Sequence, residues 1–440
     1  MTSILTVTAN DIINGALLQA GIVGAEQSIP SYDHTQAKTR LNYLLKSYQA
    51  QGYHLWTKAE GVVFADVSTQ KYTLGVSGDH SCLEDDFIET TVSTAAIATD
   101  TVIALTSTTG MLGAADILSD PTNSTQDWTL SGATLATASG ALTLTNSGAA
   151  AGTASFTLNT TVGETYIVNF SYTKGTAVGA VFEILDDVAV SVLDTLTLTA
   201  TDTDNQLEFT ATQTTHTFKA TNSSAVSGET FIWEDLTQKD KDSGDFIGFQ
   251  LDDGTRQWSN IVTVDSTTQV TINDALTDAA AISNTVFSYT TKLVRPLKVI
   301  DGRSKRTTGN SELNLLEMNR QEYFQMNDKT TQSSINNYYY SPQLNSGILY
   351  VWPTSDNVNQ YVKLTFIRPI DIVVNNADAV DIPSEWALAL VYNLAASLLP
   401  LYRIDPPRQA ILDQQAGRLL TEALDFDHEE ASLWVGLEDA

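Results

Sequence analysis

Residues able to do chemistry are few in this chain, and their spacing points away from catalysis. The five histidines, His34, His54, His80, His216 and His428, share no metal-ligand spacing and include no HExxH-like pair. No GxSxG elbow, GxGxxG turn or GxxxxGK phosphate loop occurs. The single cysteine, Cys82, excludes an internal disulfide or a Cys-based metal site and reads as a small buried side chain. Asp186 with Asp187, or Asp202 with Asp204 and Asn205, could ligate calcium through oxygen, although such residues more commonly build turns. The EDDF stretch at Glu84 to Phe87 reads as a solvated loop. No enzymatic activity, cofactor or metal is therefore expected, and function should lie in binding or assembly.

Three sets of residues are candidates for binding. Trp128, Tyr166, Tyr172 and Trp233 offer flat apolar faces of the kind that stack on pyranose rings; the tryptophans read better as core, leaving Tyr166 and Tyr172 as a candidate glycan platform. Arg295, Arg303, Lys305 and Arg306 form the densest basic cluster in a chain of formal net charge -29. They could touch DNA in a channel or pair with carboxylates of a neighbouring subunit, and the second use satisfies more charge. In the C-terminal stretch DFDHEEASLWVGLEDA, Leu433, Trp434, Val435 and Leu437 stand among acids; such a segment either frays or orders on a partner.

The elements that must position these residues follow from length and pattern. At 440 residues the chain exceeds one ordinary core, so two or three domains are expected. Trp386 to Leu401 is interrupted by Asn393, Ser397 and Pro400, so no membrane span is expected, and MTSILTVTAND lacks a signal-peptide core, as in a protein made in the cytoplasm. Strong acidity argues against wrapping a duplex by phosphate neutralisation. It suits a channel wall along which DNA slides, or serves solubility alone.

Asp33 to Trp56 carries Ala37, Leu41, Leu44, Leu45 and Tyr48 at spacings of three and four, a helix with one apolar stripe, which Gly52 ends before YHLW starts a strand. Asn10 and Asp11 can cap a preceding helix bearing Ile13, Ala16, Leu17 and Ala20, with Gly21 as its stop. Downstream, EWALALVYNLAASLL is apolar nearly all round until Pro400, and Pro406 and Pro407 open a last helix bearing Ile411, Leu419, Leu420 and Ala423. Between these ends, period-two patterns and turn signals such as Asp253-Gly254 read as strands, and from Ser119 to Lys241 strands recur about every ten residues.

The expected fold class is thus α+β and multidomain: N- and C-terminal helices in one bundle, a β layer, and a nested all-β jelly roll. The bounds are residues 1–55 plus 383–440 for the helices with a C-terminal docking tail, 56–90 plus 286–382 for the β layer, 91–118 plus 242–285 for a small β domain, and 119–241 for the jelly roll or β-sandwich inserted into it.

Two resemblances attach to these residues. The segments QAQGYHLW, KAEGVVF and IPSEWALALVYNLAASLLPLYRIDPPRQAIL, over about residues 8–65 and 295–430, resemble the head-to-tail adaptor proteins of tailed phages, also known as packaged-DNA stabilisation or tubular tail A-type proteins. The resemblance implies a structural virion protein in the head-tail neck: a homo-oligomeric ring of twelve copies whose helical bundle docks on the portal protein, and the C-terminal residues Leu433, Trp434, Val435 and Leu437 are the expected portal contact. A tail tube or nozzle protein would sit beneath, tail fibres would be further contacts, and genomic DNA would pass without sequence-specific binding. TVGETYIVNFSYT, TTHTFKAT and GETFIWEDL resemble carbohydrate-binding-module jelly rolls, which implies the alternative, a carbohydrate-binding or adhesin-like tail protein.

Overall fold

The computed structural model describes residues 7–24, 27–51, 55–118, 121–148, 150–188, 191–307, 312–402 and 405–427. It is mostly β, with α-helices α1 (Ala9–Ala20), α2 (Ser31–Gln51), α3 (Arg320–Gln325), α4 (Ala387–Leu398) and α5 (Pro406–Phe426). Expected at Asn10 and Asp11, the cap of α1 falls instead on Thr8, whose side chain accepts from the Asp11 N–H while the Asp11 carboxylate accepts from the Thr8 N–H. Gly21, at φ 69°, closes the helix. The strand expected from YHLW begins only at Lys58, after a single 3-10 turn at Leu55–Thr57.

Residues of α1, α2, α4 and α5 share one apolar cluster, including Ile13 and Leu17, Leu41 and Leu45, Leu390 and Leu394, and Leu412 and Ala423. Trp386 packs edge-on against Trp56 at 4.9 Å and Tyr48 at 5.8 Å. Two expectations are corrected. Helix α4 is not buried all round, since Leu388 is 56% exposed, and α5 turns Leu412 and Ala416 inward while Ile411 is 61% exposed. By length and composition alone the 18 residues from Ser384 to Leu401, with mean hydropathy 1.2, are long and apolar enough to cross a membrane; here Trp386, Leu390, Leu394 and Leu398 lie in the helical core.

The chain's halves are also joined by hydrogen bonds. Strand Lys58–Phe64 pairs antiparallel with Gln360–Ile367, Lys58 opposite Ile367 and Phe64 opposite Tyr361, in a five-stranded sheet. Val362, Leu364 and Phe366 are buried on one face, as alternation predicts. On the other, Phe64, Val62 and Tyr361 meet Phe287 and Tyr289 of a six-stranded sheet. This second sheet runs Ile88–Thr91, Thr285–Tyr289, Phe246–Gln250, Arg256–Ser266, Gln269–Ile272, Val102–Ala104, and curls until Val92 bridges Leu105. It is a small closed barrel, and the pairing of Thr285–Tyr289 with Ile88–Thr91 on one side and Phe246–Gln250 on the other places Ile88–Thr91 and Thr285–Tyr289 in it rather than in the β layer.

Out of the barrel grows a sandwich of two five-stranded antiparallel sheets. One runs Asp202–Thr210, Thr165–Thr173, Thr230–Asp240, Ala141–Asn146, Ala133–Ala138; the other runs Val192–Leu198, Ala180–Asp186, Thr215–Asn222, Thr153–Asn159, Thr129–Ser131. Phe170, Phe182, Phe218, Phe231, Trp128 and Trp233 fill the space between them. Strand Ala133–Ala138, whose ATLATA has no strong alternation, is held as an edge by a hairpin at Ser139 and Gly140, both with positive φ. Where the sandwich leaves the barrel, Asp116 bridges Lys239 and the Ile117 N–H donates to the Gln238 carbonyl at 2.8 Å. Entry and exit therefore sit side by side, the geometry of an inserted domain.

Candidate functional site

Strand Thr165–Thr173 has two destinies. Tyr166, Val168, Phe170 and Tyr172 enter the sandwich core, so Asn169 and Ser171 must face outward, where they line a cleft of about 550 Å³ against the barrel. Gln206 and Glu208 reach it from the neighbouring strand Asp202–Thr210, and Thr263, Thr271 and Asn273 form the barrel wall. A bulge shapes the floor: Asn169 pairs with Thr237 but Ser171 pairs with Glu234, leaving an irregularity at which Asp235 takes φ 57° and lines the cleft. Ile167, Val262, Ile272 and the otherwise buried Phe170 supply the apolar part of the lining.

Hydrogen bonds hold this lining in place. Lys241 donates to both carboxylate oxygens of Glu208 at 3.0 Å, and the Glu208 N–H donates to Asp194 at 2.8 Å. Ser171 donates to the Thr203 carbonyl at 2.9 Å. From the barrel side, the Asn273 amide donates to Asp242 at 2.7 Å, so the domain junction orients one cleft wall. Such a cleft can present amide, hydroxyl and carboxylate groups to a polar ligand; among the described residues that line it, the one aromatic, Phe170, is buried.

The expected glycan platform is corrected accordingly. Tyr166 is 3% exposed and Tyr172 0%, both inside the sandwich, because alternation puts the even-numbered residues of that strand inward. Tyr166 Oη accepts from the Thr161 N–H, and its ring lies 5.8 Å from Phe209. Trp128 and Trp233 are core, as the sequence favours, with Trp128 Nε1 donating to the Pro121 carbonyl.

The basic cluster is met by carboxylates of its own chain. Arg303 lies 3.2 Å from Glu60, 3.5 Å from Glu312 and 3.8 Å from Asp301, and Arg306 lies 2.8 Å from Asp356. Arg295 donates to the Gln343 carbonyl, and the Lys305 ammonium lies 5.9 Å from the Tyr361 ring centroid. A hydrogen bond to Glu84 pushes the Glu60 carboxyl up, while the same bond and Lys363 hold Glu84 down.

The calcium candidates serve as structural acceptors. Asp186 accepts from Thr212 Oγ1 at 2.5 Å and the Val188 N–H, Asp187 accepts from Thr217 Oγ1 at 2.6 Å, and Asn205 donates to the Asp202 carbonyl. His216 is buried beside them between Thr160 and Thr212, and burial lowers its pKa. Among the described residues a group of three carboxylates, Glu164 with Asp240 and Asp242, comes within 4.8 Å of one another at the junction of sandwich and barrel. Leu433, Trp434, Val435 and Leu437, like His54 and His428, lie outside the described residues.

No protein-family model matches the chain, and no curated protein matches it. Solved structures similar to part of it include carbohydrate-binding modules. The second N-terminal cellulose-binding domain of Cellulomonas fimi β-1,4-glucanase C is 13% identical, over 29% of this chain and 95% of that one, with TM-score 0.24. TmCBM61, solved with β-1,4-galactotriose, is 11% identical over 29% of this chain and 99% of that one, with TM-score 0.23. The enzymatically active domain of bacteriophage CBA120 tailspike protein 4 is 15% identical over 28% of this chain and 21% of that one, with TM-score 0.22.

Proposed function

We propose that this is a carbohydrate-binding, adhesin-like structural protein, with no catalytic role, whose jelly roll holds the ligand while the helices and β layer form the scaffold. The observation that supports it is the cleft: Asn169, Ser171, Gln206 and Glu208 present hydrogen-bonding groups side by side on one sheet face, in a volume within the range of small-ligand sites. Glycan-array screening of the full chain, followed by calorimetry, tests it. Asn169→Ala and Gln206→Ala should each weaken the best ligand about tenfold, the value of one or two good hydrogen bonds. A blank array counts against the reading.

One observation favours a second reading. Helices from both ends of the chain share a core, and the β layer, barrel and jelly roll are successive excursions from it. This nesting suits a head-to-tail adaptor of a virion neck: a ring of copies on the portal protein, above a tail tube or nozzle protein, with DNA passing through and the jelly roll projecting outward toward glycan or tail fibres. Mass measurement with and without portal protein tests it, and a protein that stays small in both samples argues for the first reading alone.

A further inference from the structure

We infer that the cleft is a composite site, completed by the barrel, and that its ligand is a neutral polyhydroxylated sugar held by hydrogen bonds without ring stacking. This rests on the carbohydrate-binding reading and goes beyond it in naming a second domain and a charge class.

The composite character follows from placement. One wall is the outer face of the jelly-roll sheet; the other is the barrel's Arg256–Ser266 and Gln269–Ile272 hairpin with Asn273 just beyond it. The two walls are tied where Asn273 donates to Asp242 and where the Asn260 amide donates to the Asp242 and Gly244 carbonyls, on the segment that links the domains. A jelly roll alone would present an open sheet face, and here the barrel turns it into a cleft.

The ligand class follows from charge. Glu208 and Asp235 contribute two carboxylates and Lys241 one ammonium, which both Glu208 oxygens engage at 3.0 Å. An anionic sugar would have to displace Glu208 from Lys241 while facing Asp235, in a chain of formal charge -29. Neutral hydroxyls can instead donate to the carboxylates and accept from the amides of Asn169, Gln206 and Asn273. The bulge supports a ligand role for Asp235, because a non-glycine residue at φ 57° is held there against its preference, and bulges re-aim side chains beside binding sites.

The test screens the full chain against neutral hexose oligosaccharides and against uronate- and sialic-acid-bearing ones, then measures affinity for the best hit in variants that keep the wild-type melting temperature. Neutral hits, with Asn273→Ala and Thr271→Val each weakening binding as Asn169→Ala does, by about tenfold, are the expected result. Asp235→Asn should admit a uronate-bearing oligosaccharide that the wild type rejects. Barrel variants that bind like wild type while Asn169→Ala is impaired overturn the composite site and leave carbohydrate binding by the jelly roll standing. Hits confined to anionic sugars overturn the ligand class, and no hit at all removes both this inference and the function on which it rests.

Discussion

Two polar residues packed at the joint between β layer and barrel make residue-scale predictions. The Arg256 side chain is 1% exposed, 3.6 Å from Asp66, with its guanidinium 4.7 Å from the Phe287 ring centroid, and it donates to the Ala65 and Val358 carbonyls. Burial lowers its pKa to about 10, so it stays charged at neutral pH. Arg256→Ala leaves those carbonyls without this donor and Asp66 without its counter-ion and should cost roughly 3–5 kcal/mol in urea unfolding; a loss below about 1 kcal/mol would show the joint tolerates it. His80 lies flat on Trp258 at 4.0 Å and shares a hydrogen bond of 2.6 Å with Tyr289. Burial, then Lys292 and Arg256, lowers its pKa from 6.5 to about 3. The unfolded chain therefore binds more protons between these values, and stability falls as pH drops through the window, by about 1.4 kcal/mol per unit. His80→Gln should remove that part of the slope, visible as the difference between the two pH profiles.

At the scale of elements, α5 separates what periodicity suggests from what packing selects. Ile411 and Leu412 are adjacent and equally apolar, and a stripe through Ile411 is as good a reading of the sequence as one through Leu412. In the structure Leu412 is buried against the helical core, whereas Ile411 faces out. Leu412→Ala should therefore lose about 2–4 kcal/mol and Ile411→Ala less than about 1, read by chemical denaturation; equal losses would argue for a rotated helix. Strand register gives a second prediction. A Cβ on Gly244 would lie 1.9 Å from the Ile261 carbonyl oxygen and 2.9 Å from the Ala114 nitrogen, both backbone atoms with little room to move. Gly244→Ala should destabilise the barrel by roughly 1–3 kcal/mol and lower its melting temperature.

The whole molecule is organised by nesting, and its domains should separate accordingly. The ends of the jelly roll are joined by the Asp116–Lys239 bridge, and its aromatic core is its own. Replacing residues 118–238 with a short Gly-Ser linker should leave a folded remainder, and the excised piece should unfold cooperatively by itself. Calorimetry that shows one transition for the intact chain and none for the pieces would contradict this. The charged strand Lys298–Arg306 belongs to the same scale, since Arg303 pairs not only with Asp301 of its own strand but with Glu60 and Glu312 of two other stretches.

The sequence by itself determined the four terminal helices, the all-β run from Ser119 to Lys241 and the Asp253-Gly254 hairpin, because period, proline and glycine act through local sterics within a few residues. It also marked Trp128 and Trp233 as core. Only the tertiary structure decided the rest. Period two splits Tyr166 and Tyr172 from Asn169 and Ser171 but cannot say which set meets solvent, core or another domain. Similarly, Arg303 and Glu60 read as independent charges until strand pairing sets them 3.2 Å apart. The cleft is the clearest case: Asn169, Glu208 and Asn273 carry no shared motif, and they become neighbours only because a sheet face and a barrel wall, each folded for its own core, are closed on each other by the chain that links them.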